Sequence, residues 1–183
     1  MYELLILSML TSRDMSGYKL GRVLSSTLVP RRDVSNGVMY PLLSKLANAG
    51  YIELTEHHED PRNKKMAHLT EKGTKRFQEL MKKEIPDDSK RESMYRFKFR
   101  GMSAISHNEQ LKILTDYKND VQSDLNVFQE VKVHLKDKLI RGASNYDSLV
   151  WGIKSLNLSI QICQTKLQWV QQRELEINES GNN

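Results

Sequence analysis

The stretch from Ser35 to Ile52 constrains the fold more than any other part of the sequence. Ser35 and Asn36 are typical helix-starting residues, because their side-chain oxygens can accept a free backbone N–H of the first turn. Gly50 suits the left-handed conformation that ends a helix, and Tyr51-Ile52 then begin a strand-like pattern. Apolar residues between these ends recur with helical spacing, which predicts one buried face made of Val38, Leu42, Leu43, Leu46 and Ala49. The stretch therefore predicts a helix followed at once by a strand.

Two further helices are expected before this stretch. Residues 3–12 are apolar on more than one side, which predicts a well-buried helix. Ser16 can cap a second helix that runs to about Thr27. Three helices in fifty residues, the last with a polar start and Lys45 further on, are typical of a helix-turn-helix whose last helix enters a DNA groove. An ordinary amphipathic helix in a small core would show the same local pattern.

A basic hairpin is expected directly after the third helix. Residues 51–56 alternate apolar and polar side chains, and residues 65–70 form a plausible return strand. The tip between them is polar and carries Arg62 and Lys64, with Lys65 at its end. Such a hairpin is the wing of a winged helix, and its bases would contact the phosphate backbone or the minor groove. The alternative is a solvated loop with no partner.

The positive charge lies in the N-terminal half. The net charge is +5; residues 1–83 hold fourteen Lys/Arg and nine Asp/Glu, whereas residues 84–183 hold fourteen of each. Basic surface attracts phosphate backbones, so a nucleic-acid partner is expected for this half.

A cytoplasmic location without membrane attachment is expected. The sequence has no run of about 18 apolar residues, and its N-terminus lacks the bases and cleavage pattern of a secretion signal. The single cysteine, Cys163, fits a reducing compartment.

The C-terminal half is predicted to be entirely helical. Pro86-Asp87-Asp88 reads as a linker, so we expect a DNA-binding domain at 1–85 and a helical domain at 86–183. A short segment at 89–99 carries Met94, Tyr95 and Phe97. These residues are candidates for an apolar effector pocket; the alternative is that they only pack the two domains together. A long helix over about 108–139 would extend roughly 48 Å, too long for one compact core to cover.

The last helix, from about Tyr146 to Asn178, has two apolar faces. One is a seam with alternating steps of four and three, as in a coiled coil, made of Leu149, Ile153, Leu156, Ile160, Cys163, Leu167 and Val170. The other is made of Trp151, Leu158, Ile162 and Trp169. One face can pack on the long helix, and the other needs a partner. A second copy of the chain is the simplest partner, while the segment at 89–99 is the alternative.

Taken together, these residues resemble the PadR family of bacterial transcriptional regulators. The matching residues are Ser16-Gly17-Tyr18, the run Ser35-x-Gly37-x-x-Tyr40-Pro41-x-Leu43-x-x-Leu46-x-x-x-Gly50-Tyr51-Ile52, and Lys64-Lys65-x-x-x-Leu69-Thr70-x-x-Gly73. The pattern around Phe97–Gly101 and the closing Leu149…Leu167-x-Trp169 look like the longer branch of the family, which includes the repressors of phenolic acid decarboxylase genes. Aromatic residues common in the return strand are replaced here by Met66 and His68.

The resemblance implies a mainly α protein: a winged helix-turn-helix with a small β-hairpin wing, followed by a C-terminal dimerisation domain of long antiparallel helices. It implies a homodimeric repressor that a small aromatic effector, such as a phenolic acid, releases from a pseudo-palindromic double-stranded operator. The residues expected at the DNA are Ser35, Asn36, Gly37 and Tyr40, with Lys19 and Lys45 on the flanking backbone and Arg62, Lys64 and Lys65 in the wing.

The sequence also bears on functions other than DNA-binding repression. The sequence has neither a phosphate loop nor a paired metal motif, so we expect no enzyme, no metal and no cofactor. A metal-responsive regulator would draw on His57-His58-Glu59-Asp60, although no cysteine supports such a site. A multidrug-responsive regulator and a winged helix that contacts only proteins are the remaining alternatives.

Overall fold

The computed structural model describes residues 1–56, 65–142 and 144–180. The chain divides into two compact units, Met1–Ser106 and a second unit that begins at His107. The division lies about twenty residues beyond the linker expected at 86, because the helix at Arg91–Arg100 packs on the first helix of the chain. A functional boundary at residues 85–86 stays a prediction.

The first unit has the winged-helix order of elements. It contains α1 (Tyr2–Leu10), β1 (Met15–Ser16), α2 (Gly17–Thr27), α3 (Asn36–Asn48), β2 (Ile52–Glu56), β3 (Lys65–Leu69), α4 (Glu71–Lys82) and α5 (Arg91–Arg100), followed by a short 3-10 turn at Met102–Ala104. The mainly helical fold class and the helix-turn-helix followed by a hairpin are confirmed.

Helix α1 is the centre of this unit. Leu4, Leu5, Ile6 and Leu7 are consecutive and almost fully buried, so the helix is covered on every side. It packs against α2, α4 and α5. Burial of one such side chain contributes about 1.5–3 kcal/mol to the free energy of unfolding, so α1 fixes the positions of the helices around it.

The sheet has three antiparallel strands in the order β1-β3-β2. The hairpin of β2 and β3 was expected, and its register pairs Ile52 with Leu69 and Glu56 with Lys65. The third strand, β1, pairs Met15 with Ala67 and was not expected. Two residues are too few to show the alternation by which a strand is recognised in sequence.

Thr70 and Gly73 join the end of α3 to the start of α4. The Thr70 hydroxyl accepts a hydrogen bond from the Gly73 N–H at 2.9 Å and donates one to the Gly50 carbonyl at 2.7 Å. Gly50 has a φ of 73°, the left-handed helix end expected from the sequence. A Cβ on Gly73 would overlap the Tyr51 carbonyl oxygen, so only glycine fits at this junction.

The second unit is a pair of long helices, α6 (His107–Ile140) and α7 (Tyr146–Ser180). Leu135 lies beside Gly152 near the connecting turn, and Lys118 forms an ion pair with Glu174 (3.1 Å) far from it, so the helices are antiparallel. The expected seam of α7 supplies the buried residues Leu149, Ile160, Cys163 and Val170. In the described part of the chain, no helix is long and apolar enough to cross a membrane.

Candidate nucleic-acid interface

Helix α3 presents one face to the core and leaves the other in solvent. Met39, Leu43 and Leu46 are buried with helical spacing. Val38, which the sequence placed on the buried face, is 47% exposed, whereas Met39 is only 2% exposed. The prediction for Val38 was wrong. Adjacent residues of a helix point in different directions, so only one of Val38 and Met39 can face the core, and the packing of the whole unit decides which one does.

The start of α3 is open and polar. Ser35, Asn36 and Gly37 are all exposed. Ser35 is the N-cap residue, but its side chain makes no capping hydrogen bond; its carbonyl instead accepts the N–H groups of Val38 (3.0 Å) and Met39 (3.1 Å). The capping hydrogen bond expected from the Ser35 side chain is therefore not formed, and its hydroxyl accepts no backbone N–H of the first turn of α3.

Tyr40 lies where α2 and α3 approach each other. A Cβ on Gly17 would lie 3.0 Å from Leu43 Cδ1 and 3.6 Å from Tyr40 Cε1, so the glycine gives both side chains room. The Tyr40 side chain is 50% exposed: one part lies near Gly17 of α2, and the other faces solvent.

Tyr18 is a further exposed aromatic residue, on α2, and it was not predicted as a site residue. It follows Gly17 on α2, is 62% exposed and precedes the exposed Lys19. The buried residues Leu20 and Leu24 set the phase of α2 and turn residue 18 outward. The outward position of residue 18 could be predicted from the apolar spacing of α2, whereas the proximity of Gly17 to Tyr40 could not.

The remaining expected cations are distributed over α3 and the wing. Lys45 is exposed on α3, and Lys65 is exposed at the first position of β3. Arg62 and Lys64 lie outside the described residues, as does the cluster His57-His58-Glu59-Asp60. Across the described ranges, no group of three or more His, Cys, Asp or Glu side chains is arranged to hold a metal ion.

His68 links the three strands at the base of the wing. Its Nδ1 lies 2.7 Å from the Asp14 carboxylate, which immediately precedes β1, and its Nε2 lies 2.6 Å from the Thr55 hydroxyl on β2. A ring with both nitrogens engaged is fixed in orientation. His68, which stands in the return strand where aromatic residues are common in the PadR family, thus links the hairpin to the residue that precedes β1.

Residues 6–79 match the Transcriptional regulator PadR-like family. The N-terminal part of the chain is a PadR-like domain. The match spans the region from α1 to α4 and therefore includes α3, the described strands and the junction at Gly73. The all-helical C-terminal extension expected for the longer branch is present as α5, α6 and α7.

Similar solved structures include two of Bacillus subtilis PadR. The one in complex with operator DNA is 22% identical, with 95% of this chain and 96% of that chain covered and a TM-score of 0.43. The one in complex with p-coumaric acid is 22% identical, with 96% and 98% covered and a TM-score of 0.39. Streptococcus mutans smu.1704 is 30% identical over 44% of this chain and 73% of that one, with a TM-score of 0.39. No curated protein matches the chain.

The expected effector residues lie on α5 of the first unit. Tyr95 and Phe97 are buried, and Met94 is half-buried. Tyr95 stacks on Phe99 with ring centroids 6.2 Å apart. Ser93, the residue before Met94, accepts a hydrogen bond from the Val29 N–H (2.9 Å) and donates one to the Val29 carbonyl (3.2 Å), so α5 is tied into the unit that contains the PadR-like domain. Their role in effector binding stays a prediction.

The expected dimerisation residues form an exposed stripe on α7. Trp151, Leu158, Ile162 and Trp169 are all exposed, at spacings of seven, four and seven residues that place them on one helix face. The Lys154 ammonium lies 4.3 Å from the Trp151 ring centroid, and the Arg173 guanidinium lies 5.9 Å from that of Trp169. The stripe, defined by these four exposed apolar residues, has a cation beside the tryptophan at each of its ends.

Proposed function

We propose that this protein is a homodimeric, sequence-specific DNA-binding repressor that a small aromatic effector releases from its operator. The observation that carries the proposal is the two-faced helix α3 inside the PadR-like domain. Its inner face is locked into the core by Met39, Leu43 and Leu46, while its exposed first turns carry groups that can hydrogen-bond DNA. A rigid helix with a free polar start is the element that helix-turn-helix proteins insert into the major groove.

Each residue of this face has a proposed role. Ser35 and Asn36 hydrogen-bond base edges or phosphates, and Gly37 lets the backbone approach closely. The Tyr40 hydroxyl binds a phosphate. Cations on either side hold the flanking backbone and the wing: Lys19, Lys45, Arg62, Lys64 and Lys65.

The stripe of α7 supplies the dimer contact in this proposal. An exposed apolar face of this length on a soluble helix is covered by a partner, and a second copy gives closed two-fold symmetry. Two PadR-like domains related by that symmetry meet half-sites about 34 Å apart, in successive major grooves.

The effector class is proposed from the resemblance of the sequence to the phenolic acid decarboxylase repressors. Met94, Tyr95 and Phe97 are its proposed binding residues. An effector releases DNA only if it binds the DNA-free conformation more tightly than the DNA-bound one. A thermal-shift screen tests the class: stabilisation by phenolic acids supports it, and stabilisation only by hydrophobic cations favours a multidrug sensor.

Binding to the promoter DNA that flanks the protein's own gene tests the proposal. We expect selective binding that weakens steeply with salt, and we expect Lys64→Glu/Lys65→Glu to abolish it. Lys136→Gln, an exposed lysine on α6, is the control and should bind as the unmodified protein does. An absence of selective, salt-dependent binding, or an unaffected Lys64→Glu/Lys65→Glu variant, contradicts the proposal.

A further inference from the structure

The stripe of α7 has the same pattern when it is read from either end. Trp151, Leu158, Ile162 and Trp169 follow one another in steps of seven, four and seven residues. A tryptophan stands at each end and two aliphatic residues at the centre, and all four side chains are exposed. The pattern is therefore symmetric about residue 160, the midpoint of the stripe.

The residues between the large side chains keep this symmetry. Ser155 divides the first step of seven into four and three, and Thr165 divides the last into three and four. Both residues are small and exposed. The Thr165 hydroxyl donates a hydrogen bond to the Gln161 carbonyl (2.9 Å), so this polar group is satisfied within α7. Steps of four and three throughout make the stripe a second coiled-coil face, separate from the seam that packs on α6.

A face with this symmetry is complementary to itself when two helices run in opposite directions. A two-fold axis through the midpoint sets Trp151 against the partner's Trp169 and Ser155 against the partner's Thr165. The two central aliphatic residues meet each other in the same way. Each layer of small residues then lies between two layers of large ones, as close packing requires. Parallel helices would instead set every residue against its own copy.

Charge along the helix pair distinguishes these two orientations. The contacts that make α6 and α7 antiparallel place residue 160 at about the level of residue 128 on α6. From that level to the connecting turn, residues 129–159 hold five Lys/Arg and three Asp/Glu. The other half, residues 107–128 and 160–180, holds four Lys/Arg and seven Asp/Glu. The half that contains the turn is therefore positive, and the opposite half is negative.

This polarity favours the antiparallel orientation. Antiparallel packing brings the positive half of one copy beside the negative half of the other, whereas parallel packing brings like charges together. Charge that is complementary across an interface fixes its register and disfavours arrangements that place like charges side by side. The symmetric apolar pattern and the distribution of charge thus agree on one orientation.

We propose that two copies of the chain pair through antiparallel α7 helices, with Trp151 packed on the partner's Trp169 at both ends of the contact. The dimer itself belongs to the proposed function, and the orientation and register inferred here rest on it. The stripe is occupied by a second copy because an unrelated helix would not require a face that is symmetric about its midpoint.

Cross-linking of introduced cysteines tests the orientation in the full chain. Ser155→Cys and Thr165→Cys are made separately; both residues are exposed, so neither change removes a buried contact. In the antiparallel pair, the two copies of residue 155 are about 15 Å apart along the helices, the rise of ten residues. A short bismaleimide should therefore link neither variant to itself, but it should link the two variants after they are mixed and have exchanged subunits. The unmodified protein, whose Cys163 is buried, is the control and should not be linked.

Analytical ultracentrifugation of the same samples separates failure of this inference from failure of the proposed function. A dimer in which each variant links to itself has parallel helices and overturns the orientation only. A dimer whose mixed variants do not link also overturns the register, because the stripe is then not paired as proposed. A chain that stays monomeric overturns the proposed dimer and this inference with it.

Paired charge substitutions test the same contact without a cross-linker. Ser155→Glu and Thr165→Lys should each raise the dimer Kd about tenfold, because each places an unpaired charge in the contact. The double variant Ser155→Glu/Thr165→Lys should return to within about threefold of the unmodified protein, because each new carboxylate then faces a new ammonium. Ser155→Glu/Thr165→Glu is the matched control and should dimerise more weakly than either single variant. A Ser155→Glu/Thr165→Lys variant that dimerises no better than the single variants would overturn the antiparallel register.

Discussion

The two units of the chain bury their apolar residues in opposite ways. In the first unit, α1 is covered on all sides, and the exposed start of α3 carries polar residues and Tyr40. In the second unit, α6 and α7 cover only one seam and leave the stripe of α7 in solvent. Two helices alone cannot enclose a core, because each can cover only one face of the other. The comparison teaches that the first unit encloses a core by itself, whereas the second leaves an apolar stripe in solvent, which the proposed dimer would cover.

Gly73→Ala should cause the largest loss and tests the packing of the first unit. The added Cβ would overlap the Tyr51 carbonyl oxygen and lie 2.8 Å from Leu69 Cδ1, and backbone cannot yield as a side chain can. We expect the free energy of unfolding to fall by about 3 kcal/mol, measured by urea denaturation.

Gly37→Ala is the matched control for that substitution. Its Cβ would meet the Ser35 hydroxyl at an ordinary 3.7 Å, so stability should stay the same or rise by up to about 1 kcal/mol. Its effect should appear in weaker DNA binding instead. If Gly73→Ala proves as stable as Gly37→Ala, the tight junction between α3 and α4 is wrong.

Leu158→Arg tests whether a dimer covers the stripe of the second unit. Leu158 is 59% exposed in the stripe, and a buried, unpaired guanidinium should raise the dimer dissociation constant about a hundredfold. Leu175→Arg is the control, because Leu175 is 57% exposed but lies roughly a third of a turn away from the stripe. Analytical ultracentrifugation distinguishes them; equal behaviour of the two variants would show that the stripe is not the dimer contact.

Lys45→Gln should have a smaller effect, on DNA binding alone. One lost phosphate contact should lower affinity severalfold and reduce the slope of log affinity against log salt by about 0.9. Fluorescence anisotropy at several salt concentrations measures both quantities, with Lys136→Gln as the unaffected control. An unchanged slope would remove Lys45 from the interface.

His68→Ala should have the smallest effect and probes the rigidity of the wing base. The Asp14–His68–Thr55 link is partly exposed, so its loss should cost only about 0.5–1 kcal/mol. Hydrogen exchange of the β3 amides should accelerate, whereas His134→Ala on α6 should leave it unchanged. Equal exchange in both variants would mean that the link does not hold the strand.

Much of the fold could be predicted because its elements have local causes. Ser16 caps α2 with its side chain, and Gly50 ends α3 with a positive φ, as expected. The choice of Met39 over Val38 for the core could not be predicted, because it depends on the rotation of α3 against the other helices. The strand β1 was not predicted, because two residues are too few to show an alternation of apolar and polar side chains.

The exposed face of α3 was predictable to the extent that it lies on one element. Ser35, Asn36, Gly37 and Tyr40 share the start of α3, and all four are exposed. The approach of Gly17 on α2 to Tyr40 joins two elements and could not be predicted from either one alone.

Selection of binding sites from a random DNA library tests the central claim most directly, that the exposed face of α3 reads DNA as part of a dimer. We predict enrichment of a pseudo-palindrome whose half-sites are one helical turn or a multiple of it apart. Tyr40→Ala should weaken binding to the enriched site, and Leu158→Arg should lose the preference for two half-sites over one. Failure to enrich any sequence, or enrichment that is unchanged in both variants, would contradict the account.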